Sequence, residues 1–160
     1  MSEYFKPLNE NEKSELSDAL ALITVLIAGA DGNFEKEELE WAEKVTHIRS
    51  YKLKGEMKSF YEHAEEQFLA KTQYYMDNLP SNVTERSNQI AERLSGLNPI
   101  LAKLEPATGS KLYKGLISFA DHVAKASGGV MGFFSVNAEE GKWIDLPMIT
   151  PIIFQSDEEE

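Results

Sequence analysis

The sequence predicts an all-α fold, a single compact bundle of roughly six to eight helices. Three observations predict it. Apolar residues recur at spacings of three and four along most of the chain, and no run alternates with the period of two that a half-buried strand needs. Gly, Pro and Asn fall between the apolar stripes, where helices stop and start. Of the 160 residues 42% are hydrophobic, enough for one real core in a chain of one-domain length. That core is expected over about residues 9–154, with 155–160 as an acidic tail.

The first helix is expected over Asn9 to Ala30, capped by Asn9 or Asn11, with Glu10, Glu12 and Glu15 suiting its N-terminal dipole. Leu16, Leu20, Ile23 and Ile27 share one side, and Leu22, Val25 and Leu26 cover the others. A helix apolar nearly all round belongs at the centre of a domain. Gly32 stops it, because glycine takes a left-handed conformation without penalty. A second helix runs from Glu35 to about Arg49, with Leu39, Ala42, Val45 and Ile48 inward. A third runs from Leu53 to about Asn78, its stripe of Leu53, Met57, Phe60, Ala64 and Phe68 widened by Tyr61, Tyr74 and Tyr75, and Pro80 follows its end.

Ser81 or Asn82 caps the fourth helix, whose Ile90, Leu94, Leu97, Leu101 and Leu104 form an inward stripe. Pro99 lacks an amide donor and clashes one turn back, so a kink or break is expected near Gly96 and Pro99. Pro106 marks the next boundary. Thr108 or Ser110 opens a helix to Ala126, with Leu112, Leu116, Phe119 and Val123 inward, and Gly128 and Gly129 stop it. Val130 to Val136 connects to a short helix from Ala138 to about Ile144, where Asn137 and Glu140 have capping-box spacing. Pro147 and Pro151 prevent a long final helix, so Met148 to Phe154 is read as an extended or short helical cover.

Composition narrows the chemistry. There is no Cys, which excludes disulfides, thiolate metal sites and thiol redox work, and suits the reducing cytoplasm. The apolar run Ala19 to Ala30 is too short to span a bilayer, so no direct membrane insertion is expected. A net charge of −11 repels phosphate backbones and anionic lipid, and attracts cations and basic protein surfaces. Nucleic acid is therefore a poor partner. There is no phosphate-binding glycine loop, nucleophile elbow or dinucleotide fingerprint. His47, His63 and His122 lack metal-ligand spacing, and Asp121 beside His122 reads as two solvated neighbours. Trp41 and Trp143 read as core or subunit-contact residues.

The stretch Asp31-Gly32-Asn33-Phe34, with Glu38 four residues beyond the Phe, matches the latter half of a calcium-binding EF-hand loop. The two earlier ligand positions fall on Ile27 and Gly29, which offer no side-chain oxygen, so a full EF-hand is rejected. A partial oxygen site remains: Asp31, with Asn33 or Glu35, and Glu37 or Glu38. A looser copy lies near the C-terminus. Ala-x-Ala-Asp-Gly at 28–32 is echoed by Ala-x-Ala-Ser-Gly at 124–128, and Phe34 to Glu38 by Val136 to Glu140. A pseudo-two-fold arrangement of these halves would bring Asp31, Glu37, Glu38, Glu139 and Glu140 toward one face. The competing reading is plain punctuation, with Gly as a helix stop and Glu in a first turn answering the dipole.

The pattern Ala-x-Ala-Asp-Gly-x-Phe-x-x-x-Glu after a buried helix, loosely repeated, resembles the TerB-like family of tellurite-resistance proteins over about Leu16 to Ile149. Glu35 and Lys36 stand where that family has a capping Ser or Asp and a Pro, and Ser127 replaces the second Asp. The resemblance implies an all-helical fold with an internal repeat and an acidic metal-binding surface on a cytoplasmic protein of stress-response complexes. Asp31 and Glu38 match its motif best, and Glu140 next. Tellurite reduction needs thiols or a redox cofactor, and the chain has no Cys and no cofactor motif. The expectation is therefore a non-catalytic module. It would bind Ca²⁺ or Mg²⁺ through Asp31, Glu37, Glu38, Glu139 and Glu140 and act with a protein partner, a homodimer being left open. The alternative is a metal-free interaction or scaffold domain.

Overall fold

The computed structural model describes residues 3–30, 32, 36–126 and 141–154. It is all-helical, with no strand among the described residues. The segments are α1 (Glu10–Ser17), α2 (Ala19–Ala28), α3 (Lys36–Lys52), α4 (Gly55–Asn78), α5 (Val83–Ser95), α6 (Leu97–Ala102) and α7 (Pro106–Ala126). Only Asp18 separates α1 from α2, and only Gly96 separates α5 from α6, so these segments form five rods.

The centre is α2. Every residue from Ala19 to Ala28 is buried, and α3, α4, α5 and α7 all pack on it. Its one polar side chain, Thr24, returns its hydroxyl to the Leu20 carbonyl at 2.8 Å, which removes the cost of an unpaired buried oxygen. The expected single first helix is divided at Asp18. In α1, Asn9 and Glu12 form a full capping box: the Glu12 amide donates to Asn9 Oδ1 at 2.8 Å and the Asn9 amide to Glu12 Oε1 at 3.0 Å. Ahead of it, a short 3₁₀ turn (Glu3–Phe5) sets Phe5 fully into the core beside Phe60.

Two expectations about proline are resolved by position. The fourth helix breaks at Gly96, one turn before Pro99. Pro99 itself lies in the first turn of α6, where a missing amide costs nothing. Pro106 begins α7 instead of preceding it, because the first helical position needs no donor and favours φ near that of proline. Of the expected Ala138–Ile144 helix, Gly141 is helical and Lys142–Asp145 form turns, while its start lies outside the described residues.

The inward face of α3 differs from the expected stripe. Ala42 and Val45 are buried as read, but Ile48 is only half-buried, and Glu38, Thr46 and Ser50 take inward places. The two hydroxyl members bond within their own helix. Thr46 Oγ1 donates to the Ala42 carbonyl at 2.8 Å and Ser50 Oγ to the His47 carbonyl at 2.6 Å. On α4, Tyr61 and Tyr75 join the core, whereas Tyr74 is 55% exposed. Among the described residues no helix is long and apolar enough to cross a membrane.

Candidate functional site

The α2–α3 turn carries the sequence-predicted site. The helix ends at Ala28, and the Gly29 amide closes on the Val25 carbonyl at 3.0 Å. Gly32 follows with φ +86, the left-handed conformation that its lack of a Cβ permits. Arg86 of α5 donates from Nη2 to the Gly29 carbonyl at 2.8 Å, placing a cation at the negative end of α2. A side chain at Gly29 would press on that guanidinium, since a Cβ there would stand 2.8 Å from Arg86 Nη2.

The first turn of α3 separates its two acids. Glu37 is exposed, while Glu38 is 1% exposed. Adjacent helical positions differ by about 100°, so the two carboxylates leave the helix on different sides. Asp31, Glu139 and Glu140 lie outside the described residues, as do Asn33, Phe34 and Glu35. Among the described residues no group of three His, Cys, Asp or Glu side chains is placed to hold a metal ion. The three histidines stay apart in role. His47 pairs through Nδ1 with Glu65, His63 lines a narrow cavity beside Lys71, and the His122 ring stands 6.5 Å from that of Trp41. Asp121 pairs with Lys125 at 2.7 Å and no hydrogen bond joins it to His122 among the described residues.

Two polar knots escaped sequence reasoning. In the first, Arg49 of α3 spans three helices. Its Nη1 donates to Tyr61 Oη at 2.7 Å and to the Gly115 carbonyl at 3.0 Å, and its Nη2 donates to Ser118 Oγ at 2.7 Å. The guanidinium carbon also stands 5.3 Å from the Tyr61 ring centre, within cation–π range. Gly115 makes room for this knot: a Cβ there would meet Met57 Cε at 3.2 Å and Tyr61 Oη at 3.3 Å. Burial pushes the Tyr61 phenol above its ordinary range, against the pull of Arg49. Burial first, and the Arg49 charge next, hold the His122 imidazole below its ordinary value. Beside the knot, Tyr113, Ile117, Ser118, Asp121, Ile144 and Asp145 line a cleft of about 380 Å³.

In the second knot, Asp18, buried at the α1–α2 break, accepts from Tyr75 Oη at 2.8 Å and faces Lys71 Nζ at 3.5 Å. Arg93 donates from Nη2 to Tyr75 Oη at 3.1 Å, with its guanidinium carbon 5.2 Å from the ring centre. Burial, then the hydrogen bond to Asp18, push the Tyr75 phenol up to about 12. One signal was available in the sequence: an acid between Leu16 and Ala19 at the edge of an apolar helix needs a buried partner. No family of known proteins, no curated protein and no solved structure matches this chain.

Proposed function

We propose that the chain is a TerB-like, non-catalytic helical module whose α2–α3 turn takes a hard divalent cation, Ca²⁺ or Mg²⁺. The observation that carries this reading is Glu38, a carboxylate 1% exposed at the foot of α3, close in sequence to the left-handed Gly32. In the proposed site Glu38 is the inner ligand and Asp31 completes the turn, with Glu37 at the rim. Glu139 and Glu140 join it if the Ala-x-Ala motifs are a true repeat. The repeat gains support from packing. The two helices that end in the motif, α2 and α7, lie against one another, and both Ala28 and Ala124 are buried. With the expected Ala138–Ile144 helix the bundle would hold six to eight helices. Oxygen ligands favour Ca²⁺ or Mg²⁺ over softer metals, and the net charge of −11 draws cations toward the site. The bound ion would tie the end of α2 to the start of α3 and set the surface offered to a protein partner in a cytoplasmic stress-response complex.

Calorimetric titration with Ca²⁺ and Mg²⁺ tests the reading. Binding in the wild type that is lost in Asp31→Asn and Glu38→Gln is expected, and equal or absent binding in all three refutes it. A second reading, a metal-free interaction domain, takes Glu37 and Glu38 as acids of the first turn of α3 that answer its helix dipole. It predicts unfolding midpoints unmoved by chelator or by added cation.

A further inference from the structure

We propose that the cleft between the start of α5, Ala30 and the Lys142–Trp143 turn binds a small monocarboxylate, an organic acid with a short apolar stem. The cleft encloses about 150 Å³. One water takes about 30 Å³, so there is room for a body of a few heavy atoms. Val83, Thr84, Ser87 and Asn88 form one wall, because residues three and four apart share a face of a helix. Ala30, just past the end of α2, closes a second side, and Lys142 with Trp143 a third.

The Ser87 hydroxyl points to a ligand. Ser87 is 5% exposed, and its side chain has no hydrogen-bond partner among the described residues. Thr24, Thr46, Ser50 and Thr72 are buried too, and each returns its hydroxyl to a carbonyl of its own helix. Ser87 does not, and its oxygen is not sealed off by neighbouring atoms, so it opens into the cleft it lines. Water offers such a hydroxyl a neutral partner. A carboxylate oxygen offers a charged one, and that hydrogen bond is about twice as strong.

The other groups of the lining choose the ligand class. Thr84 brings a hydroxyl and Asn88 an amide, both able to donate. Lys142 is the one charged side chain of the lining, and it makes no ion pair among the described residues. The wall is also the start of α5, where the helix dipole is positive. One cation and one helix end suit a single negative charge. A phosphate ester carries about −1.5 to −2 at pH 7. Glu85 in the same first turn and the net charge of −11 resist that second charge. Ala30, Val83 and Trp143 offer apolar surface to the stem.

The test titrates the isotope-labelled full chain with sodium butyrate, followed by its amide and indole NMR signals. A chelator is present, so that no cation bridges acid and protein. Saturable shifts are expected at Ala30, at the start of α5 and at the Lys142–Trp143 turn. Butyramide, the neutral isostere, and inorganic phosphate should each bind at least about twofold more weakly. Ser87→Ala should weaken butyrate about tenfold, and Lys142→Met about two- to fivefold. Lys125→Met, a lysine outside the lining that pairs with Asp121, should leave binding unchanged. Ser87→Ala removes a hydroxyl that holds no partner among the described residues, so its unfolding midpoint should stay at the wild-type value or rise. The wild type alone can overturn the proposal. No saturable shift up to about 50 mM butyrate, butyramide binding as tightly as butyrate, phosphate binding more tightly, or shifts seen only when Ca²⁺ replaces the chelator would each do so. Butyrate binding undiminished in Ser87→Ala, or weakened equally by Lys125→Met and Lys142→Met, also overturns it.

Discussion

Replacing Arg49 by Met tests whether the three-helix knot holds α3, α4 and α7 together. The substitution removes three charge-assisted hydrogen bonds, of 2.7, 3.0 and 2.7 Å, and one cation–π contact. A hydrogen bond to a charged group contributes about 1.5–3 kcal/mol, but the three do not simply add. Tyr61 Oη already lies 3.5 Å from the Gly115 carbonyl and Ser118 Oγ 3.2 Å from it, so two neutral partners can turn to each other. What remains is roughly one bond's worth of lost pairing plus about 1 kcal/mol from the ring contact. The expected loss is about 2–4 kcal/mol. Urea unfolding followed by the fluorescence of Trp41 and Trp143 reads it. With a slope of about 2 kcal/mol per M, the midpoint falls by about 1–2 M at unchanged slope. Arg49→Lys is expected to lie between wild type and Met, since an ammonium cannot present a planar fork to three acceptors. The Arg49 charge also depresses His122, so the His122 titration followed by NMR shifts upward in Arg49→Met. A Met variant within about 0.5 kcal/mol of wild type, the scatter of ordinary surface changes, would refute the assignment.

Two further outcomes follow from the titrating groups. Burial raises the Glu56 carboxyl, but the Lys111 hydrogen bond at 2.9 Å, the Glu56 backbone amide and the Lys111 charge outweigh it and leave the group below its ordinary value. Its stabilisation is therefore present above the ordinary glutamate range and lost as pH falls through the lowered folded value, so Glu56→Gln should flatten the acid-side decline of the urea midpoint. Tyr75 shows the opposite sign. Its phenol is raised to about 12, so its contribution is complete below the unfolded value of 10.0 and lost as pH rises through about 12. Tyr75→Phe should remove one late-titrating phenol in an alkaline absorbance titration. At neutral pH it should cost about 1–3 kcal/mol, because buried Asp18 loses its 2.8 Å donor.

The fold was legible where a single physical rule governed. An all-round apolar sequence left α2 no place but the centre, and it is buried along its whole length. The stripe Ile90, Leu94, Leu97, Leu101 and Leu104 is buried throughout, because the break at Gly96 keeps one face inward across both halves. Gly32 does take a left-handed angle, but it is not the helix stop that was expected: the helix ends four residues earlier, at Ala28, with Gly29 as its cap. Where two rules competed, the sequence was ambiguous. Ile48 is more apolar than Thr46 or Ser50, yet packing turns the latter pair inward, and their hydroxyls bond to their own helix.

The candidate site was legible only in part. Glu37 and Glu38 occupy the first turn of α3 as read, but which of the two is buried follows from how α3 rolls against its neighbours, not from their spacing. Sequence by itself determined the all-helical class, the central helix and the absence of thiol chemistry, because propensity, periodicity and residue type are local properties. Tertiary structure alone decided the partners of Arg49 and Asp18. Residues 49, 61, 115 and 118, like 18, 75 and 93, meet across helices, and a contact between distant positions leaves no periodic trace in one chain.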